Sequence, residues 1–253
     1  MRAPIHESLS ILGIPVGFFS SSHAVVEAIA DRIRTRQQTF CVAINPEKVY
    51  RAVRDTRLRR VIQAAHIQIC DGIGVVLASR LLYGKGPARC TGIDLFMRLL
   101  EISEQRGWKV FLLGASPESN QAARVAIEQR FPRLGVVGSQ HGYFESSAEI
   151  TETINESGAD VLFVAMGSPR QEFWIGEHMP RMNACLCMGV GGSLDVISGV
   201  ARRAPYLWRK SGLEWLFRLL TQPTRIRRQL GLLVFAFDVL KARFVQLYRP
   251  VRT

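Results

Sequence analysis

Much of what would fix a chemistry at a glance is missing from this chain of 253 residues. It has no CxxC pair, and none of its five histidines stands at metal-ligand spacing from another, which argues against a zinc or iron–sulfur site. There is no Walker A phosphate loop and no GxSxG nucleophile elbow. Two glycine turns, Gly72-x-Gly74 and Gly189-x-Gly191-Gly192, approach the dinucleotide fingerprint, but each lacks its last glycine, so a nicotinamide or flavin enzyme is poorly supported. No two aspartates stand one residue apart, which removes the paired-carboxylate metal clamp used by many nucleotide-sugar enzymes. No apolar run approaches the roughly 20 residues that span a bilayer. The best candidate, Gly231–Leu247, is interrupted by Asp238, Lys241 and Arg243, and reads as a segment that lies on a membrane rather than crossing it. The opening MRAPIHESLS has no apolar core of the kind a signal peptide needs, so a cytoplasmic protein is expected. Five cysteines, at 41, 70, 90, 185 and 187, are an odd number and read as buried, reduced thiols.

Acidic residues are scarce in one place. Residues 201–253 hold 12 Lys/Arg against 2 Asp/Glu, whereas the first 200 hold 21 against 19. The net charge of +12 therefore belongs to the C-terminal fifth, where arginines alternate with Trp, Phe and Leu. A solvated helical face, a nucleic-acid site and an anionic membrane surface all suit a basic run. The first 200 residues offer no basic surface to support nucleic acid, and the interleaved aromatics favour the membrane. With 47% hydrophobic and 21% charged residues, the rest has the balance of a globular protein with a sizeable core.

From residue 40 to 200 one pattern repeats: a short apolar strand, a polar or glycine turn, then a helix. Thr39–Ile44 runs into Asn45-Pro46 and an amphipathic helix to about Ala65. Ile67–Cys70 runs into Asp71-Gly72-Ile73-Gly74, Lys109–Leu113 into Gly114–Glu118, Asp160–Met166 into Gly167–Glu172, and Ala184–Met188 into Gly189–Ser193. Such alternation predicts an α/β fold: a Rossmann-like, mainly parallel sheet with helices on both faces. After residue 200, Pro205 and Pro223 punctuate a short helix over Gly212–Leu220 and a final helix capped by Thr224. The expected organisation is a catalytic domain over 1–200 and a helical, Arg-rich, membrane-associating appendage over 201–253.

In open α/β sheets, ligands bind outside the carboxyl ends of the strands. Asn45, Asp71, Ser168 and the Gly189–Ser193 turn are therefore expected to share one crevice. Asn45 before Pro46, Ser116 before Pro117 and Ser168 before Pro169 read as helix caps, and Thr91-x-x-Asp94 as a capping box. Helix starts at strand ends also present free N–H groups to a phosphate. Asp71 is placed either to take a proton from a substrate hydroxyl or to form an Asx turn, and the residues alone leave both open.

The strings DGIGVV, RCTGIDLF, FLLGASPE, VVGSQHGYF, VAMGSPRQEFW, MGVGGSLDVISGVARRAP and GLEWLFRLLTQPTRIRRQ, in that order, resemble the WecG/TagA/CpsF family of bacterial glycosyltransferases over about residues 40–230. The resemblance implies an inverting, metal-independent transferase with no cofactor, working peripherally on the cytoplasmic face of the membrane. Its partners would be a UDP-sugar donor, an undecaprenyl-diphosphate-linked GlcNAc acceptor and the membrane surface, with no nucleic acid; a homo-oligomer is left open. It makes Asp71 the general base and assigns Asn45 and Arg89 to the catalytic set. For substrate binding it implies Gln171, the nucleotide crevice at Gly189, Gly191 and Gly192 beside Gly167 and Ser168, Asp195 as a ribose or uracil contact, and Arg218, Arg225 and Arg228 reaching from the appendage toward the diphosphate. The teichoic-acid branch has a threonine two residues before the asparagine; here Ala43 stands there, which favours another branch. A UDP-glucose or other hexose transferase of capsule or exopolysaccharide assembly is the alternative within the family, and a nicotinamide-dependent oxidoreductase the alternative outside it.

Overall fold

Position by position, Thr39–Ile44 is buried along its whole length, the mark of a strand covered on both faces. The structure, a computed structural model, describes residues 6–221 and 226–248. In chain order it holds β1 (Ser8–Ile11), β2 (Ile14–Gly17), α1 (Ser22–Arg34), β3 (Thr39–Ile44), α2 (Pro46–Arg54), α3 (Thr56–Ala64), β4 (Ile67–Cys70), α4 (Ile73–Tyr83) and α5 (Gly92–Arg106). There follow β5 (Val110–Gly114), α6 (Pro117–Arg130), β6 (Val136–Gln140), α7 (Ser147–Glu156), β7 (Val161–Ala165), α8 (Arg170–His178), β8 (Leu186–Gly189), α9 (Ser193–Ile197), α10 (Tyr206–Lys210), α11 (Glu214–Thr221) and α12 (Ile226–Tyr248).

Strands β3 to β8 form one six-stranded sheet in the order β4-β3-β8-β7-β5-β6, and each neighbouring pair is parallel. The α/β, Rossmann-like expectation is met. A separate antiparallel hairpin, β1–β2, precedes the sheet. Alternate side chains of β3 enter two cores. Phe40, Val42 and Ile44 pack with Leu58, Ile62, Trp174 and Ile175 on one face, while Cys41 and Ala43 pack with Val25, Ile29, Phe96 and Leu99 on the other. Phe96 meets Phe163 edge-on at 4.5 Å between centroids, and both are fully buried. Truncating either to Ala would cost about 3–5 kcal/mol.

The segment after Asn45 is two helices, not one. Asp55 takes an extended backbone (φ −117°, ψ 104°), and its carboxylate accepts from the N–H groups of Arg57 and Leu58, starting α3 afresh. After residue 200 the chain forms α10 and α11, and α12 then returns across α2 and α4. Phe235 and Val239 of α12 are buried in the same core as Ile44 and Cys70. Gly231 lies so close to Tyr50 that a Cβ there would sit 2.9 Å from the ring, and Asp238 pairs with Arg54 at 3.2 Å. Thr224, expected to cap this helix, lies outside the described residues. Among the described residues no helix is long and apolar enough to cross a membrane.

Candidate active site

The chain leaves β3 outward to β4 but reaches β8, the other neighbour of β3, from the opposite side through β5, β6 and β7. At such a reversal the loops diverge and leave a crevice outside the strand ends. A cavity of about 730 Å³ opens there. Its floor is formed by Ala43 near the end of β3 and Asn45 just after it, Asp71 and Gly72 after β4, Arg89, Thr91 and Gly92 at the start of α5, Ser168 and Gln171 at α8, and Gly189 to Ser193 from the end of β8 to the start of α9.

Several helix starts converge on this floor. Asn45 caps α2, its Oδ1 accepting from the Lys48 N–H at 2.8 Å. Thr91 caps α5, with its Oγ1 3.2 Å from the Asp94 N–H it accepts and 2.6 Å from the Asp94 carboxylate to which it donates. The start of α4 has no side-chain cap, because Gly72 occupies the Ncap position at φ +94°, ψ 143°, a conformation open to glycine alone. The first N–H groups of a helix have no partner within the helix, and the helix dipole adds positive potential there. Ser168 does not cap α8 as the sequence suggested: Pro169 holds that place after a cis Ser168–Pro169 peptide, and α8 has no side-chain cap. The Ser168 hydroxyl and the Arg89 Nε are both buried without a hydrogen-bond partner among the described residues, and both residues line the cavity.

Asp71 follows the last residue of β4, with its N–H bonded to the Ile44 carbonyl at 2.8 Å. Its negative charge is felt by the thiols of Cys70 and Cys90. Burial pushes both up to about 12, with Asp71 adding to the shift. Arg89 donates to the Arg209 carbonyl at 2.8 Å, tying the end of α10 to the cavity wall. A second tie is the Arg203–Asp94 ion pair. Burial alone would raise the Asp94 carboxyl, but the Thr91 hydroxyl and Arg203 outweigh it and hold the group below its ordinary range.

Under the glycine turn lies a connection that the sequence did not disclose. Lys48, on the first turn of α2, pairs with Glu172 at 2.7 Å, both side chains almost wholly buried. Gln171 Nε2 donates to the same Glu172 oxygen at 3.0 Å, and Gln171 Oε1 accepts from the Gly191 N–H at 3.0 Å. The amide of Gln171 thus carries the buried pair to the backbone of the turn. A Cβ on Gly189 would lie 2.4 Å from Gln171 Nε2, so glycine is required for this approach. Lys48 and Glu172 stand 124 residues apart, and no local pattern links them.

Of the residues singled out from the sequence, Asn45, Asp71, Arg89, Ser168, Gln171, Gly189, Gly191 and Gly192 line this one cavity. Gly167 stands just behind it, its carbonyl accepting from the Gln171 N–H at 2.9 Å. Asp195, in the first turn of α9, is not on the lining; its carbonyl accepts from the Ala201 N–H at 2.8 Å, and its carboxylate lies against Gly192. Arg218 and Arg228 are on α11 and α12, but their side chains lie outside what the structure describes, as does Arg225 entirely. The sequence reading missed the cavity's apolar wall, formed by Ile73, Leu77 and Leu81 of α4 facing Leu232, Ala236 and Leu240 of α12. The leucines of α4 are visible in VVLASRLL, but only the returning α12 makes them a wall.

A parallel sheet with convergent helix starts, a carboxylate and an arginine at one strand-end cavity is an arrangement suited to an anionic small molecule. The model of the glycosyl transferase WecG/TagA/CpsF family matches residues 9–249. The chain belongs to that family, which makes it a glycosyltransferase of cell-surface polysaccharide synthesis, with a sugar-nucleotide donor and a lipid-linked acceptor.

Proposed function

We propose that the protein is an inverting, metal-independent hexosyltransferase that moves an N-acetylmannosaminuronic acid unit from UDP to an undecaprenyl-diphosphate-linked GlcNAc. The observation that carries this reading is the cavity floor itself: helix starts, the Arg89 Nε and the Ser168 hydroxyl without a partner among the described residues, and the Asp71 carboxylate on the same lining. The uridine lies against the Gly189–Gly192 turn. The donor diphosphate meets the N–H groups at the starts of α4 and α5 and the Arg89 guanidinium, joined by Arg218, Arg225 and Arg228 from the appendage. Fixed donors of this kind stabilise the charge that develops on the leaving UDP, which is the part a metal takes in other sugar-nucleotide enzymes. Asp71 accepts the proton of the acceptor hydroxyl as its oxygen attacks the anomeric carbon from the face opposite the diphosphate; the bond to UDP breaks and the configuration inverts.

The choice of donor rests on the strings VAIN, VVGSQ and VAMGSP, which resemble the enterobacterial common antigen transferase of this family, and on Ala43. Ala43 lies on the cavity floor beside Gly92, so the residue there bears on which sugar fits next to Asp71. The protein would work on the cytoplasmic face of the membrane, with the appendage charge held against anionic lipid. A panel of UDP-sugars with a synthetic polyprenyl-diphosphate-GlcNAc, read by mass spectrometry, tests the reading. Product from the mannosaminuronic acid donor supports it. Product from UDP-glucose alone replaces it with a hexose transferase, and product from none refutes it.

A further inference from the structure

The cavity has two unlike ends. Its floor is polar, but from Ile73, two residues after Asp71, its side is apolar: Leu77 and Leu81 of α4 face Leu233, Ala236 and Leu240 of α12. These leucines line a cavity yet are largely exposed, Leu77 by 54%, Leu240 by 59% and Leu233 by 70%. Large apolar side chains left open to water in a concave site mark a surface that something apolar covers. The wall also continues past the cavity mouth. Leu233, Phe237, Leu240 and Phe244 follow the i, i+4, i+7, i+11 spacing of one helical stripe, and all four are exposed. At 1.5 Å per residue that stripe is about 16 Å long, the extent of a few isoprene units.

We propose that this trough between α4 and α12 binds the first isoprene units of the lipid-linked acceptor, a step that rests on the transferase reading above. A diphosphate-linked sugar whose hydroxyl reaches Asp71 must direct its chain away from the polar floor, and the apolar side begins beside that aspartate. The flat surface of a bilayer meets convex faces and does not enter a cavity whose wall starts at the catalytic carboxylate. The chain bound here is therefore the substrate's own, and bilayer acyl chains are the competing occupant.

Two acceptors separate these cases: one carrying a farnesyl diphosphate linkage and one a methyl diphosphate linkage, both assayed in buffer free of detergent and vesicles. The wild-type protein is expected to show kcat/KM about ten-fold or more higher for the farnesyl acceptor. In Leu77→Gln/Leu240→Gln that ratio should fall toward one. Both side chains are more than half exposed, so the core is untouched; Leu233→Gln, at the most exposed of these positions, should lower the ratio in the same direction and serves should the double variant fold poorly. A wild-type ratio near one overturns the proposal. So does an unchanged ratio in the double variant, whether or not that variant loses sedimentation with anionic vesicles; loss of sedimentation alone would assign the wall to the bilayer. Failure of the wild-type protein on both acceptors would instead strike at the transferase reading.

Discussion

Replacing Lys48 by Met probes the connection between the sheet and the glycine turn. The Lys48 and Glu172 side chains are 5% and 0% exposed and 2.7 Å apart. Methionine fills a similar volume but leaves the Glu172 carboxylate buried, with the Gln171 amide on one oxygen and no described partner on the other. Removing one member of such a pair costs about 3–5 kcal/mol, because the remaining charge has lost both water and its counter-charge. For a chain of this size, at about 2 °C per kcal/mol, that lowers Tm by about 6–10 °C. Lys48→Met/Glu172→Gln removes both charges and keeps an amide beside Gln171, so it should recover to within about 1–2 kcal/mol of the natural protein. Urea unfolding at pH 7, with midpoints and slopes for both singles and the double, gives the coupling energy. A Lys48→Met variant within about 0.5 kcal/mol of wild type, or a double variant weaker than both singles, would refute the reasoning.

Gly189→Ala places a methyl 2.4 Å from Gln171 Nε2, so Gln171 must release either Gly191 or Glu172. The expected outcome is a donor KM raised about ten-fold or more, with a modest loss of stability, read by initial rates and calorimetry. The thiols of Cys70, Cys90 and Cys187 are pushed up to about 12 by burial, and Cys41 is pushed up further still. A thiol protonated longer in the folded state gives stability that is intact below pH 9 and lost as pH rises from about 9 toward 12. Each such group contributes a slope of about 1.4 kcal/mol per pH unit within that window. Unfolding free energy measured from pH 8 to pH 10.5 should fall accordingly, and the folded protein should resist a thiol reagent at pH 8 that labels it in urea.

The sheet was legible because its strands are short, apolar and closed by turn residues. TFCVAI before Asn-Pro and the run before Asp71-Gly72 need no partner to be recognised. The hairpin β1–β2, the helix α1 and the strand β6 escaped that pattern. β6 is an edge strand, half-buried throughout, with Gly138 seated against the Phe111 ring, so its composition is not that of a core strand. The break at Asp55 falls in the polar run Arg54-Asp55-Thr56-Arg57, which reads as one exposed helical stretch until the extended backbone and the new cap divide it. The floor of the site followed from strand ends and glycine turns, which are local features. The Lys48–Glu172 pair and the wall between α4 and α12 did not, since each joins segments more than 100 residues apart. A buried lysine reads like any surface lysine until its partner is placed.

The central claim is that Asp71 accepts the proton of the acceptor hydroxyl in a transfer from a UDP-sugar. Its most direct test is the turnover of Asp71→Asn beside the natural protein, together with UDP affinity by calorimetry. UDP should bind the variant within about two-fold of wild type, and turnover should fall by about 100-fold or more. Full turnover in Asp71→Asn would contradict it.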